Sequence, residues 1–183
     1  MERKDRKHPR LKAYDYWENG CYFVTICVRD HKPLLGCVVV RRAGCPHPAG
    51  QAAVEMRLSH EGEVTQYYIE QIPRVYREVL LDQYVVMPNH VHLLLRMQGP
   101  DRQSEQGEAV PRPTLHTVVR SLKTMVTKKL GYSIWQTSYY EHIVRNRRDY
   151  QEIWKYIEGN PAKWAEDRYF QPYPQGKTPA DCP

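Results

Sequence analysis

Residues Leu81–Met97 read LDQYVVMPNHVHLLLRM. Two runs rich in valine and leucine flank Pro88-Asn89, a turn dipeptide, and the stretch predicts a β-hairpin. Successive side chains of a strand alternate faces. His90 and His92 are separated by Val91 alone, so both imidazoles project the same way. The LLLRM that follows buries at least one end of this strand, and buried imidazoles need partners. Two neutral imidazoles on one pleat suit a divalent metal; the plain alternative is a pair of polar residues on the solvent side of a half-exposed strand.

Outward from the hairpin, the flanking segments alternate between the two periodicities. CYFVTICV (Cys21–Val28), entered from Asn19-Gly20, predicts a strand. LLGCVVV and VEMRLS, separated by the Gly/Pro-bearing stretch from Arg41 to Ala53, predict a second hairpin. EGEVTQYYIEQIPRVYREV sets Val64, Tyr68, Ile72, Val75 and Val79 at helical spacing, with a kink expected at Pro73. In TLHTVVRSLKTMVTKKLG, Leu115, Val118, Val119, Leu122, Met125, Val126 and Leu130 mark a helix capped by Thr114 and ended by Gly131. SYYEHIVR predicts a short strand, and Asn146 caps a last helix, RRDYQEIWKYIEGN, stopped by Pro161. Strands with helices between and after them predict an α+β fold, an antiparallel β-sheet with helices packed on one face.

The 183-residue chain is long enough for one domain, and its net charge of +6 with a sequence pI near 9.0 suits a polyanionic partner. The first dozen residues form a basic arm (Arg3, Lys4, Arg6, Lys7, Arg10, Lys12) of the kind that contacts phosphates. A polar stretch over about 98–113 reads as a mobile linker, and about 170–183 as a short tail. No apolar run is long enough to span a bilayer, and the N-terminus lacks a signal-peptide core. Five cysteines without CxxC spacing argue against a disulfide framework and for a reducing cytoplasm.

The last helix adds a further chemical group. With Tyr150, Ile153, Trp154 and Ile157 as its apolar stripe, Tyr156 and Asn160 fall together along one margin, an i, i+4 pair of phenol and amide. Read alone, they are a boundary aromatic and a C-terminal helix residue. Read with the histidines, they place a nucleophile beside a metal.

HVH matches the His–hydrophobic–His signature of the single-tyrosine HUH endonucleases. KDRKHPRLKAYDYWENGCYFVTICV, DQYVVMPNHVHLLL and WQTSYYEHIVRNRRDYQEIWKYIEGNPAKWAED, in that order, resemble the REP-associated tyrosine transposases over nearly the whole chain. The resemblance implies a ferredoxin-like HUH core, with His90 and His92 as metal ligands and Tyr156 as nucleophile. Asn160 takes the position of a third polar ligand. Tyr150, Tyr139 and Tyr140 are the rival nucleophiles. The implied cofactor is Mg²⁺ or Mn²⁺, and the implied partner is single-stranded or hairpin DNA, in a monomer or homodimer associated with the nucleoid.

Arg120, Lys123, Lys128, Arg145, Arg147 and Arg148 are candidate phosphate contacts, with Tyr139, Tyr140 and Trp135 as stacking faces for unpaired bases. Each is equally well read as solvated surface or core aromatic. Two other functions stay open at this point: a hairpin-binding module without cleavage, and a metal hydrolase with a water nucleophile.

Overall fold

Strand β5 (His90–Met97) carries buried side chains on both faces, and the sheet is organised around it. The structure, a computed structural model, describes residues 20–41, 53–98 and 113–170. β1 (Gly20–Cys27) runs antiparallel to β5, with Thr25 opposite His92 and Cys27 opposite His90. β4 (Val79–Met87) pairs on the other side across the Pro88-Asn89 turn. β6 (Tyr140–Val144) adds to β1, giving the order β4-β5-β1-β6 with every pairing antiparallel. β2 (Gly36–Arg41) and β3 (Ala53–Leu58) form a separate two-stranded sheet, the second hairpin expected from sequence.

The pleat sorts the side chains. Tyr22, Val24 and Ile26 of β1 and Val91, Leu93 and Leu95 of β5 enter one core with Ile69 and Ile72 of α1 (His60–Val75) and Leu115, Val118, Val119, Leu122 and Val126 of α2 (Leu115–Leu130). Each such aliphatic side chain contributes roughly 1.5–3 kcal/mol by leaving water. Phe23, Thr25, His90 and His92 occupy the opposite face. It is covered by α3 (Arg147–Gly159) and a 3-10 helix, Pro161–Glu166. The expectation of helices on one face is therefore corrected: α1 and α2 pack on one face and α3 lies over the histidines on the other, with Arg96 of β5 left exposed. The order β1-α1-β4-β5-α2-β6 is ferredoxin-like, with the β2–β3 hairpin inserted between β1 and α1.

α2 has the expected caps: Thr114 Oγ1 accepts from Thr117 N, and Gly131 ends the helix at φ 82°. α1 departs from expectation at its end. Pro73 sits in the last turn rather than at a central kink; it cannot donate to Ile69 O, and the chain leaves helical geometry after Val75. Val75 is 65% exposed and Val79 already belongs to β4, so neither extends the apolar stripe. Of the cysteines among the described residues, Cys21 and Cys27 are free, and Cys37 is disulfide-bonded. No helix among the described residues is long and apolar enough to cross a membrane.

The start of α1 is pressed onto the chain that enters β2. Ser59 accepts from Gly62 N and donates to Leu34 O, while Ser59 N donates to Leu35 O. A Cβ at position 62 would run into the Leu35 carbonyl oxygen; one at Gly159 would meet nothing within 4 Å. Gly62→Ala should lower unfolding stability by roughly 2–3 kcal/mol. Gly159→Ala should leave it unchanged or raise it by up to about 1 kcal/mol. Urea denaturation of the two variants tests the contrast, and a Gly62→Ala midpoint equal to wild type would refute the close approach.

Candidate active site

Three elements meet over the polar end of β5. The helix α3 is fixed at its start by Asn146, which accepts from Asp149 N at 2.9 Å, and by Asp149, which pairs with His142 of β6 at 2.9 Å. Tyr150 donates to Asp82 at 3.1 Å. Asp82 lies at a register irregularity between Leu81 and Gln83 in β4 and also receives the Arg96 guanidinium at 2.7 Å. Ile157 and Asn160 are buried at the other end of α3. Held at both ends, the helix brings Tyr156 over the sheet, 44% exposed, with its hydroxyl 3.4 Å from His92 Nε2. Phe23 braces the pair, stacked on the His92 ring at 5.1 Å and edge-on to Tyr156 at 6.0 Å.

His90 and His92 are fully buried, with their Nε2 atoms 2.9 Å apart. That is less than twice a metal–imidazole bond of about 2.1 Å, so one ion can touch both. Asn89 sets the His90 tautomer. Its amide nitrogen donates to His31 O at 3.0 Å and to Tyr169 O at 2.6 Å, so its oxygen, 2.8 Å from His90 Nδ1, must accept. His90 therefore carries its proton on Nδ1 and presents a bare Nε2 lone pair. His92 Nδ1 lies 2.9 Å from Thr25 Oγ1, a hydroxyl able to donate or accept. Without an ion, His92 can donate from Nε2 to His90 while Thr25 donates to Nδ1. Rotation of the Thr25 hydroxyl frees the second lone pair. Neither imidazole is charged: burial pulls His90 to about 3, and burial together with His90 holds His92 well below its ordinary range.

The segment after α3 closes the site. Trp164 is buried, with its ring centroid 6.1 Å from that of His90. The Tyr169 ring stacks on His31 at 5.0 Å and lies 5.1 Å from His90. Between them, a carboxylate oxygen of Asp167 lies within 4.8 Å of a ring nitrogen of each histidine. Asn160 is buried, its Oδ1 has no protein partner, and its amide hydrogen-bonds to the Tyr156 phenol. The phenol is pushed above its ordinary value, first by burial and then by the Asp167 carboxylate.

His90, His92 and Tyr156 thus lie together, with Asn160 beside the Tyr156 phenol. Of the rival tyrosines, Tyr150 is bonded to Asp82, Tyr139 packs half-buried against the main core, and Tyr140 is exposed on the sheet-edge strand β6. The basic residues divide. Arg145 and Arg147 are exposed and, with Arg96, line an open cleft of about 490 Å³ at the start of α3, while Arg148 pairs with Glu152. Arg120 and Lys128 are exposed on α2, the helix across the sheet from the histidines. Two expectations are corrected. Lys123 turns inward and donates to the carbonyls of Gln136, Thr137 and Ser138, and Trp135 is buried in the main core and offers no stacking face. Arg3, Lys4, Arg6, Lys7, Arg10 and Lys12 of the arm, residues 99–112 of the linker and residues 171–183 of the tail lie outside the described residues. Thr25, Asn89, Asp167 and Tyr169 went unassigned in the sequence, although Asp167 is the last residue of the third family-like segment.

The sequence model of the family described as "Transposase IS200 like" matches residues 58–160, and the chain belongs to that family. An uncharacterized protein of Haemophilus influenzae (strain ATCC 51907 / DSM 11121 / KW20 / Rd) is 30% identical over 180 residues, covering 90% of this chain and 93% of the relative. The REP-associated tyrosine transposase of Escherichia coli (strain K12) is 31% identical over 85 residues, 45% of this chain and 44% of that protein. A solved REP-associated tyrosine transposase bound to a REP hairpin shares the fold, with a TM-score of 0.55 and 21% identity over 84% of this chain and 74% of that one.

Two outcomes follow from the site's burial. The unfolded chain binds a proton at His90 near pH 6.5, whereas the folded protein refuses it down to about pH 3, so stability falls as pH drops through that window. The loss is on the order of 2 kcal/mol for His90 between pH 7 and pH 5, with His92 acting in the same direction. Urea unfolding of chelator-treated protein at the two pH values measures it, and His90→Gln should recover its share. Separately, Lys123→Met leaves three carbonyls without their ammonium and should cost about 2 kcal/mol in a melting experiment. Arg120→Ala should leave melting unchanged.

Proposed function

We propose that this transposase nicks and rejoins single-stranded DNA, with a hairpin as its preferred substrate, through covalent attack by Tyr156. The observation that carries the reading is the Tyr156 hydroxyl standing 3.4 Å from His92 Nε2, beside two neutral imidazoles whose Nε2 atoms converge. The residues fit a divalent cation, Mg²⁺ or Mn²⁺, held by His90, His92 and the partnerless Asn160 Oδ1, which leaves positions for water and phosphate oxygens. When bound, that ion supplies positive charge to a phosphate oxygen and to the developing phenolate, the species that burial otherwise disfavours.

The chain's own groups do the rest. Phe23 and the fixed ends of α3 hold the phenol in place for attack. Tyr156 Oη bonds to phosphorus as the bond to O3′ breaks. The phenol gives its proton to water and O3′ takes one up as it departs, so the products are a 5′-phosphotyrosine and a free 3′-hydroxyl. The phosphodiester energy stays in the new ester, so a 3′-hydroxyl can later reverse the step. The Asn160 amide, hydrogen-bonded to the phenol, favours its anion.

The attacked strand must lie over the sheet without its complement. The cleft of Arg96, Arg145 and Arg147 offers guanidinium groups, that of Arg147 on the helix that carries Tyr156, and Tyr140 is an exposed face for stacking. The hairpin preference is supported by the fold shared with the hairpin-bound transposase.

Labelled hairpin DNA with a single-stranded flank, incubated with Mn²⁺ and run on a denaturing gel, tests the reading. Wild type should give a protein–DNA adduct and a shortened strand. Tyr156→Phe should give neither, and His90→Ala should slow adduct formation by at least about a hundredfold. Cleavage that persists in Tyr156→Phe would point to a water nucleophile and overturn the proposal. Binding without cleavage across several hairpins would identify a DNA-binding module instead.

A further inference from the structure

We propose that Asp167, from the segment that follows the tyrosine helix, is a carboxylate ligand of the same metal and makes the site selective for hard divalent cations. The inference rests on the metal reading above and extends it to a residue outside both sequence motifs. Asp167, His90 and His92 each bring a ligand atom to one place, all within 4.8 Å of one another. The carboxylate has no ion pair with a lysine or arginine among the described residues. Its neighbour Arg168 instead lies over the Tyr169 ring at 4.8 Å. A half-buried carboxylate that brings its oxygen to the ring nitrogens of two histidines offers a cation negative charge together with two nitrogen donors.

The placement is built. Asp167 N donates to Trp164 O at 3.1 Å, and Tyr169 N donates to Asp167 Oδ1 at 2.7 Å, which fixes one carboxylate oxygen, while the carboxylate also stands against the Tyr156 phenol. Trp164 anchors the segment on one side in a small core with Val38 and Met87, and Asn89 grips Tyr169 O on the other. Two imidazoles and an amide oxygen form a neutral donor set that serves Zn²⁺ or Cu²⁺ as readily as Mn²⁺ or Mg²⁺. A carboxylate adds negative charge and a hard oxygen donor, which favours Mn²⁺ and Mg²⁺.

The test is metal binding to DNA-free, full-length protein by calorimetry, for wild type, Asp167→Asn, Asp167→Cys and His90→Ala. Asp167→Asn keeps the acceptor for Tyr169 N and the side-chain shape, and its melting curve without metal should match wild type. Its Mn²⁺ affinity should fall tenfold or more. Asp167→Cys should reverse the preference, gaining Cd²⁺ affinity relative to Mn²⁺ by at least tenfold over wild type, which a carboxylate acting only at a distance would not produce. Wild-type Mn²⁺ affinity in Asp167→Asn, with binding lost in His90→Ala, would overturn this inference and leave the metal site standing. Unchanged binding in His90→Ala would overturn the metal reading itself.

Discussion

Two imidazoles kept out of water and uncharged constrain everything around them. Each must have both ring nitrogens accounted for, and the protein meets that demand with groups from four places: Thr25 on β1, Asn89 at the hairpin turn, Tyr156 on α3, and each histidine for the other. The apolar residues that alternate with them carry the compensating free energy. Val91, Leu93 and Leu95 are completely buried on the other side of the same strand. β5 must then sit between two covered faces, which is why the helix bearing the tyrosine lies on the histidine side and the helix pair on the other. Site and topology are consequences of one strand's alternation.

What the sequence makes legible is local. α2 is read in full because its stripe, its Thr114 cap and its Gly131 stop all lie within eighteen residues. The β4–β5 hairpin and the Asn146 cap are read for the same reason. Pro73 shows the limit: its cost depends on how many turns follow it, and the end of α1 is decided by the need to start β4 a few residues on. The His–x–His spacing and the i, i+4 relation of Tyr156 and Asn160 are likewise local, so the candidate residues could be named before their geometry was known.

The supporting groups could not. Thr25 bonds a residue 67 positions away, and Asn89 bonds Tyr169 across 80 positions. Periodicity does not encode such pairs. A basic residue at a helix margin is equally consistent with a phosphate contact or an inward clamp, and Lys123 proves to be the clamp because the carbonyls of 136–138 converge beneath it. Trp135 has the same ambiguity and the same outcome: an isolated bridge between Val28 and Trp135 draws its ring into the core. Direction along a helix or a loop is settled by partners that a single strand of letters does not reveal.

Asn89 joins these levels in one planar group. Its two N–H bonds hold carbonyls from the segment after β1 and from the segment after α3, and its oxygen orients His90. The amide cannot be flipped, since a flip would set oxygen against two oxygens and nitrogen against an N–H. Aspartate offers no donors there, and glutamine is a methylene too long. The polarity of His90 is therefore fixed by two backbone carbonyls 138 positions apart in the chain, and any drift of either segment arrives at the imidazole as a rotation of a single rigid plane.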